Sequence, residues 1–146
     1  MPTNSILIDD RLLVAHVLNI EVDFPSGATL NTTVWWHFRA CRAAVAGTGG
    51  KLSGPFRAFP RALQEGAIQS MLRLPAHVVL PEPRPLVPVM VDVAQRHPHL
   101  RLMNREATAA ALLLDAAVWL SPAASRGVLP AVFDAEHIPW TEVPLE

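Results

Sequence analysis

A chain of 146 residues, 51% of them apolar, is long enough to bury a core and is typical of one domain. No apolar run reaches the length of a membrane span, and residues 1–5 contain neither a basic region nor a long apolar stretch. We therefore expect a cytoplasmic protein without a secretory signal. The single cysteine excludes an internal disulfide framework and a cysteine-based zinc cluster.

The formal net charge of −1 argues against a wholesale nucleic-acid binder, but the charges are unevenly distributed. From Arg39 to Arg73 there are six basic residues and one acid, Glu65, which leaves six basic and twelve acidic residues elsewhere. This asymmetry is expected if one face meets phosphates and another holds cations. Arginines on ordinary solvated helix faces produce the same pattern, so both interpretations stay open.

The first predicted strand is Ile6-Leu7-Ile8, a short apolar run typical of a strand buried on both faces. It ends at Asp9 and Asp10, and a helix is predicted over 11–18. Ligands of an open α/β sheet collect where the carboxyl ends of strands meet helix starts. The two acids are therefore candidates for holding a metal or a phosphate-bearing ligand. Either of them would serve equally well as the cap of the following helix.

A second strand is expected over 28–31, and Thr32 or Thr33 is predicted to cap a helix over 34–46 that ends at glycines 47, 49 and 50. One face of this helix carries a large or apolar residue at every third or fourth position, which predicts that this face is buried. Its members are Trp35, Phe38, Cys41 or Arg42, and Val45. The two aromatic side chains are accordingly expected in the core rather than in a base-stacking platform.

The second half of the chain continues to alternate between strands and helices. A loop is predicted over 51–60, helices over 61–74, 86–96, 105–115 and 131–136, and strands over 77–80, 116–120 and 138–143. Residues 100–103 are predicted to be extended, and Asn104 is the predicted N-cap of the alanine-rich helix that follows. Alternation at this spacing predicts a parallel α/β sheet flanked by helices.

Two common catalytic or phosphate-binding patterns are missing from the sequence, and its one cysteine is not placed as a nucleophile. Residues 47–53 contain glycines and a lysine but lack the spacing of a P-loop and a preceding strand. Ser5, Ser53 and Ser121 lack the Gly-x-Ser-x-Gly context of an α/β-hydrolase. Cys41 lies within a predicted helix among apolar neighbours, where a thiol is usually inert packing.

Two segments together suggest a family. The first is the strand that ends at Asp9, with a later helix begun by Thr32-Thr33. The second is an acid, an alanine-rich helix, a strand and a small hydroxyl residue, here Glu106 through Ser121. In size and in the order of these motifs the chain resembles the PIN-domain family, including the VapC-type ribonuclease toxins of toxin–antitoxin pairs. The resemblance covers nearly the whole length and implies one domain over 1–146, a three-layer sandwich with a central, mainly parallel sheet.

The resemblance also implies a cluster of carboxylates at one sheet edge. Such a cluster binds Mg²⁺ or Mn²⁺, and the metal activates water for attack on a phosphodiester. Asp9 matches the first acid of the family, and Glu106 stands where the family usually has an aspartate. These two are the implied catalytic residues and metal ligands, and Asp10 is a further implied metal ligand. The candidate ligands for RNA phosphates are Arg39, Arg42 and Arg61.

The acidic site implied by the family is incomplete in this chain. The acid expected on the second long helix is replaced by Trp36 or His37, and the last acid is absent from 122–125. One hypothesis is therefore a Mg²⁺-dependent endoribonuclease toxin of weakened activity, with a small antitoxin as partner and a homodimeric state. The other is a catalytically inactive PIN-like module that binds RNA or a protein. The candidate protein-contact residues are Val128, Leu129 and Trp140.

Overall fold

The computed structural model describes residues 4–20, 22–46 and 52–145 and has a five-stranded sheet with helices on both faces. The strands are β1 (Ser5–Ile8), β2 (Thr29–Asn31), β3 (Val78–Val79), β4 (Ala117–Leu120) and β5 (Trp140–Glu142). The helices are α1 (Asp10–Val17), α2 (Val34–Ala46), α3 (Gly54–Arg57), α4 (Arg61–Leu72), α5 (Pro83–Arg96), α6 (Leu102–Leu114), α7 (Pro122–Ser125) and α8 (Leu129–Ala135).

All four pairings between neighbouring strands are parallel, and the strand order is β3-β2-β1-β4-β5. In the register, Leu7 lies opposite Asn31 on one side and Val118 on the other. The chain builds outwards from β1 towards β3 and then returns to add β4 and β5 on the opposite side. The order reverses between β1 and β4, which is where an open α/β sheet leaves a crevice at the carboxyl ends of its strands.

Two apolar cores lie on opposite faces of the sheet. Because side chains alternate along a strand, Leu7 packs with α5, α6 and α8, whereas Ile6 and Ile8 pack with α1, α2 and α4. In β4, Val118 and Leu120 likewise belong to the first core. A parallel sheet covered by helices on both faces is a three-layer α/β sandwich, and the fold class predicted from the sequence is confirmed.

Helix α2 buries a different face from the one predicted. The exposed fractions of Trp35, Phe38 and Val45 are 39%, 53% and 62%, so the predicted buried face is wrong. The residues that are buried are Trp36, Ala40, Ala43 and Ala44. They are also spaced three and four apart. Trp36 packs in the first core, and the small side chains of the three alanines let α2 lie close to α1 and α4. The aromatic pair is thereby left at the surface.

Helix α6 begins earlier than predicted. Arg101 is its N-cap residue, without a side-chain capping bond, and Asn104 lies inside the helix. The predicted extended segment over 100–103 and the predicted cap at Asn104 are therefore wrong. Leu100 is buried, whereas Leu102 is 52% exposed, so this apolar stretch does not have the two buried faces of an inner strand.

Three smaller differences concern helix ends and short helices. The predicted loop over 51–60 contains the single turn α3, and α7 follows β4 where no helix was predicted. Helix α5 begins at Pro83 rather than at Leu86, because prolines are tolerated in a first helical turn. The predicted glycine stop of α2 lies outside the described residues. Among the residues that the structure describes, no helix is long and apolar enough to cross a bilayer.

Candidate functional site

Asp9 lies at the carboxyl end of β1, beside the carboxyl end of β4. It caps α1, because its Oδ1 accepts a hydrogen bond of 3.0 Å from the backbone N–H of Leu12. Its Oδ2 accepts two more from Ser121, 2.8 Å from the backbone N–H and 2.6 Å from the hydroxyl. Asp9 is 0% exposed. The predicted capping role is confirmed, and the carboxylate ties the two strands of the switch point together.

The two acids after β1 are both harder to ionise than ordinary aspartates. Burial raises the pKa of Asp9 to about 6, with a further contribution from the neighbouring charge of Asp10, and the bonds from Leu12 and Ser121 limit the rise. Burial also raises the pKa of Asp10, and Arg39 opposes it. At neutral pH both carboxylates are held in environments that disfavour their charge.

Ser121 is therefore expected to control the ionisation of Asp9. In Ser121→Ala the hydroxyl donor is lost, so the pKa of Asp9 rises above about 6 and the free energy of unfolding at pH 7 falls by about 1–2 kcal/mol. The pKa is measured by NMR titration of the side-chain carboxyl carbon, and the stability by urea denaturation. The matched control is Ser70→Ala, because the exposed Ser70 hydroxyl donates only to the carbonyl of Gly66 in its own helix α4. An unchanged Asp9 titration would contradict this role.

Glu106 lies on α6, but its carboxylate accepts hydrogen bonds from the first backbone N–H groups of α2. Oε2 accepts a 3.1 Å hydrogen bond from the N–H of Val34, and Oε1 accepts one of 2.9 Å from the N–H of Trp35. The next N–H of the helix, that of Trp36, donates a hydrogen bond of 3.0 Å to the Thr33 hydroxyl, as predicted for a threonine cap. A negative charge at a helix start is stabilised by the helix dipole. Glu106 thus caps α2 through a contact between distant parts of the chain.

In the structure, the implied metal ligands Asp9 and Glu106 already accept hydrogen bonds from protein groups. Asp9 is fully buried, and both oxygens of Glu106 already accept bonds from α2. Neither residue lines the cavities described below, whereas Asp10 does. Within 4–20, 22–46 and 52–145 no group of three or more His, Cys, Asp or Glu residues is placed to hold an ion. The shared carboxylate cluster that the family resemblance implies stays a prediction.

Two adjoining cavities open at this end of the sheet. The larger, which we call the basic groove, has a volume of about 680 Å³. The smaller, which we call the switch-point cavity, has a volume of about 280 Å³ and reaches Asp10 and Ser121. Four residues line both: Arg39, Leu52, Met103 and Asn104. The two cavities adjoin at these residues and together reach from the surface of α2 to the carboxyl ends of β1 and β4, and we refer to the pair as the channel.

Positive charge dominates this channel. Among the described residues that line either cavity there are four arginines and a single acid, Asp10. The arginines are Arg11, Arg39, Arg42 and Arg101. Arg39 stands between the two cavities, with its Nε 3.4 Å from Oδ2 of Asp10 and its Nη1 3.3 Å from the sulfur of Met103. The channel is therefore suited to an anion rather than to a free cation.

Exposed aromatic rings stand beside these arginines. Trp35 and Phe38 both line the basic groove, with ring centroids 5.9 Å apart and planes at 48°. Both rings are predicted from the sequence to lie in the core, and the signal that corrects this prediction is the alternative small-residue face of α2. Arginines interleaved with exposed aromatic rings are the combination with which proteins hold single-stranded nucleic acids.

The remaining predicted residues divide between this channel and other places. Arg39 and Arg42 line it, whereas Arg61 does not and is exposed at the start of α4. Arg101 and Asn104 belong to the channel and were not predicted as binding residues. Of the candidate protein contacts, Val128 is exposed, Leu129 is buried, and the half-buried Trp140 donates to Asp134.

Comparison with protein-family models and with curated proteins found no match to this chain. The fold and the geometry of the channel therefore carry the functional argument.

Proposed function

We propose that this chain is a PIN-like RNA-binding module that holds single-stranded RNA in the basic groove. The single observation that supports the proposal is the joint lining of that groove by Arg39, Arg42 and Arg101 with the exposed rings of Trp35 and Phe38. Guanidinium groups bind phosphates through a planar fork of donors, and aromatic rings stack on bases without regard to sequence. Binding of this type is sensitive to salt and tolerant of sequence.

Single strands are favoured over duplexes because the aromatic rings need an unpaired base face. Trp35 and Phe38 are neighbours on one turn of α2, so two successive bases would meet them while the backbone passes the arginines. The role proposed for Glu106 is to hold the start of α2, and with it Trp35, in place. Asp10 would repel a phosphate at the inner end, so the strand is expected to lie mainly over the outer half of the channel.

The proposal predicts how binding of labelled, mixed-sequence single-stranded RNA changes in variants. Trp35→Ala is expected to weaken binding by about 5- to 160-fold, since one base–aromatic stack contributes about 1–3 kcal/mol. Arg42→Gln is expected to lower the slope of log affinity against log salt by about 0.7, the value for one lost phosphate contact to a single strand. Affinities are measured by fluorescence anisotropy at several salt concentrations.

The matched control is Arg84→Gln, an exposed arginine on α5 that does not line the channel. It is expected to leave both affinity and salt slope unchanged. Equal binding by wild type, Arg42→Gln and Trp35→Ala would overturn the groove as the RNA site. Absence of RNA binding together with a stable complex with another protein would select the protein-binding module instead.

A second candidate function is the Mg²⁺-dependent endoribonuclease of a VapC-like toxin, with an antitoxin partner and a homodimeric state. The observation that favours it is Asp10, whose carboxylate lines the switch-point cavity next to Arg39, Asn104 and Ser121. A carboxylate close to a phosphate-binding arginine is the start of a hard-cation site. Asp9 and Glu106 do not line this cavity, so their side chains would have to turn towards it before they could join such a site.

Incubation of RNA with the protein, with and without Mg²⁺ or Mn²⁺, separates the two candidates. Cleavage that needs the metal, is lost in Asp10→Asn and persists in Asp92→Asn would establish the nuclease, because Asp92 is exposed on α5. Bound but intact RNA under every condition would establish the binding module.

A further inference from the structure

Two histidines outside the channel bring potential metal ligands together. His16 lies in the last turn of α1, and His77 precedes β3. Their Nε2 atoms are 2.6 Å apart, although the residues are 61 positions apart in sequence. Neither residue lines the basic groove or the switch-point cavity. The contact is therefore made by the fold and not by local helix geometry.

Neighbouring aromatic rings hold His16 in position. The His16 and His77 ring centroids are 4.9 Å apart with planes at 76°, and Phe24 meets His16 edge-on at 5.7 Å. Phe24 in turn packs on Trp119 of β4 at 5.3 Å. His16 is half-buried, whereas His77 is exposed. One ligand is thus fixed against the core, and the other stands at the surface, where an ion has access.

The facing nitrogen atoms constrain the protonation of the pair. In the neutral pair one Nε2–H donates to the lone pair of the other ring. When each ring carries its proton on Nδ1, both Nε2 lone pairs are directed at the space between the rings.

We propose that His16 and His77 form a binding site for a divalent first-row transition metal such as Zn²⁺, with the two Nε2 atoms as protein ligands and water in the other positions. Imidazole nitrogen suits Zn²⁺, Cu²⁺ and Ni²⁺, whereas Mg²⁺ prefers oxygen. Tetrahedral ligands at Zn–N distances of about 2.0–2.1 Å lie about 3.3 Å apart, so the rings have to separate by less than about 1 Å. The exposed ring of His77 has room for this movement.

The position of His16 at the end of α1 adds a favourable electrostatic contribution. His16 belongs to the last turn of the helix, where the aligned peptide dipoles give the helix end a partial negative charge. A divalent cation bound there is stabilised by this charge. The proposed site does not depend on RNA binding, and its failure would leave the groove unaffected.

Titration with Zn²⁺ alone, in competition with a fluorescent indicator, tests the proposal. His77→Asn and His16→Asn are each expected to weaken Zn²⁺ binding at least 10-fold, because each removes one of two ligands. The matched control, His99→Asn, changes an exposed histidine outside the pair and is expected to bind as wild type does. Saturating Zn²⁺ should raise the Tm of the wild type and the control but not that of His77→Asn.

Unchanged Zn²⁺ affinity in His77→Asn would overturn the proposal. Since His77 is exposed, this variant is expected to fold and decides the matter even if His16→Asn does not. The bound ion would then have to be sought elsewhere, first at the 3.2 Å contact between Cys41 Sγ and His37 Nε2.

Discussion

We expect Glu106→Ala to lower the free energy of unfolding by about 2 kcal/mol. The substitution leaves the N–H groups of Val34 and Trp35 without their acceptor and removes a negative charge from the start of α2. Both N–H groups are partly buried, so water replaces the carboxylate only in part. Urea denaturation at pH 7, monitored by circular dichroism, measures the loss.

Two further variants separate capping from a metal-binding role. Glu106→Gln keeps one acceptor oxygen and is expected to lose about half as much stability. Glu82→Ala removes an exposed N-cap acid that makes no capping bond on α5, and we expect a change within about 0.5 kcal/mol. In a cluster of mutually repelling acids, removal of one carboxylate stabilises the metal-free protein. A more stable Glu106→Ala would therefore contradict the capping role.

The second large effect is a loss of stability between about pH 4 and pH 6 caused by Asp9. Its pKa is raised from 3.8 to about 6 in the folded protein. In this window the folded state binds more protons than the unfolded state, so the free energy of unfolding falls as the pH rises. The shift corresponds to about 3 kcal/mol, lost progressively between the two pKa values and constant above about pH 6. Urea denaturation at intervals across this window measures it.

Asp9→Asn is expected to remove that contribution. The asparagine has one acceptor oxygen for donors from Leu12 and Ser121, so the variant also loses a hydrogen bond, but this loss does not depend on pH. The raised pKa of Asp10 likewise makes the free energy of unfolding fall as the pH rises. Arg96 and His97 lower the pKa of Glu136, and this shift makes the free energy of unfolding rise with pH. Asp92→Asn is the matched control. Parallel pH profiles for the wild type and Asp9→Asn would refute the assignment.

The sheet and most helices could be predicted from sequence because their signals are local. A parallel strand covered on both faces is a short apolar run, and Ile6-Leu7-Ile8 and Val118-Trp119-Leu120 have that form. The cap at Asp9 is also local, since donor and acceptor are three residues apart. The start of α6 was misplaced because Asn104 is a strong capping residue by type, although the chain enters the helix at Arg101.

The polar contacts of the site could not be predicted, because they join distant parts of the chain. Glu106 and Trp35 are 71 positions apart, and Ser121 and Asp9 are 112 apart. Periodicity also failed on α2, where two faces have helical spacing and the sequence alone favoured the larger side chains. Alanines at 40, 43 and 44 pack closely against neighbouring helices, and this packing leaves Trp35 and Phe38 in the groove.

The long-range tie between Glu106 and α2 has a consequence for synthesis of the chain. On the ribosome the N-terminal strands and α2 emerge first, while the acceptor for the N–H groups of Val34 and Trp35 follows 72 residues later. Until then this helix start is satisfied by water, and the apolar face of β1 that receives α6 is uncovered. Completion of the fold therefore awaits translation of the alanine-rich segment, and a nascent chain that stalls before it exposes surface that chaperones bind.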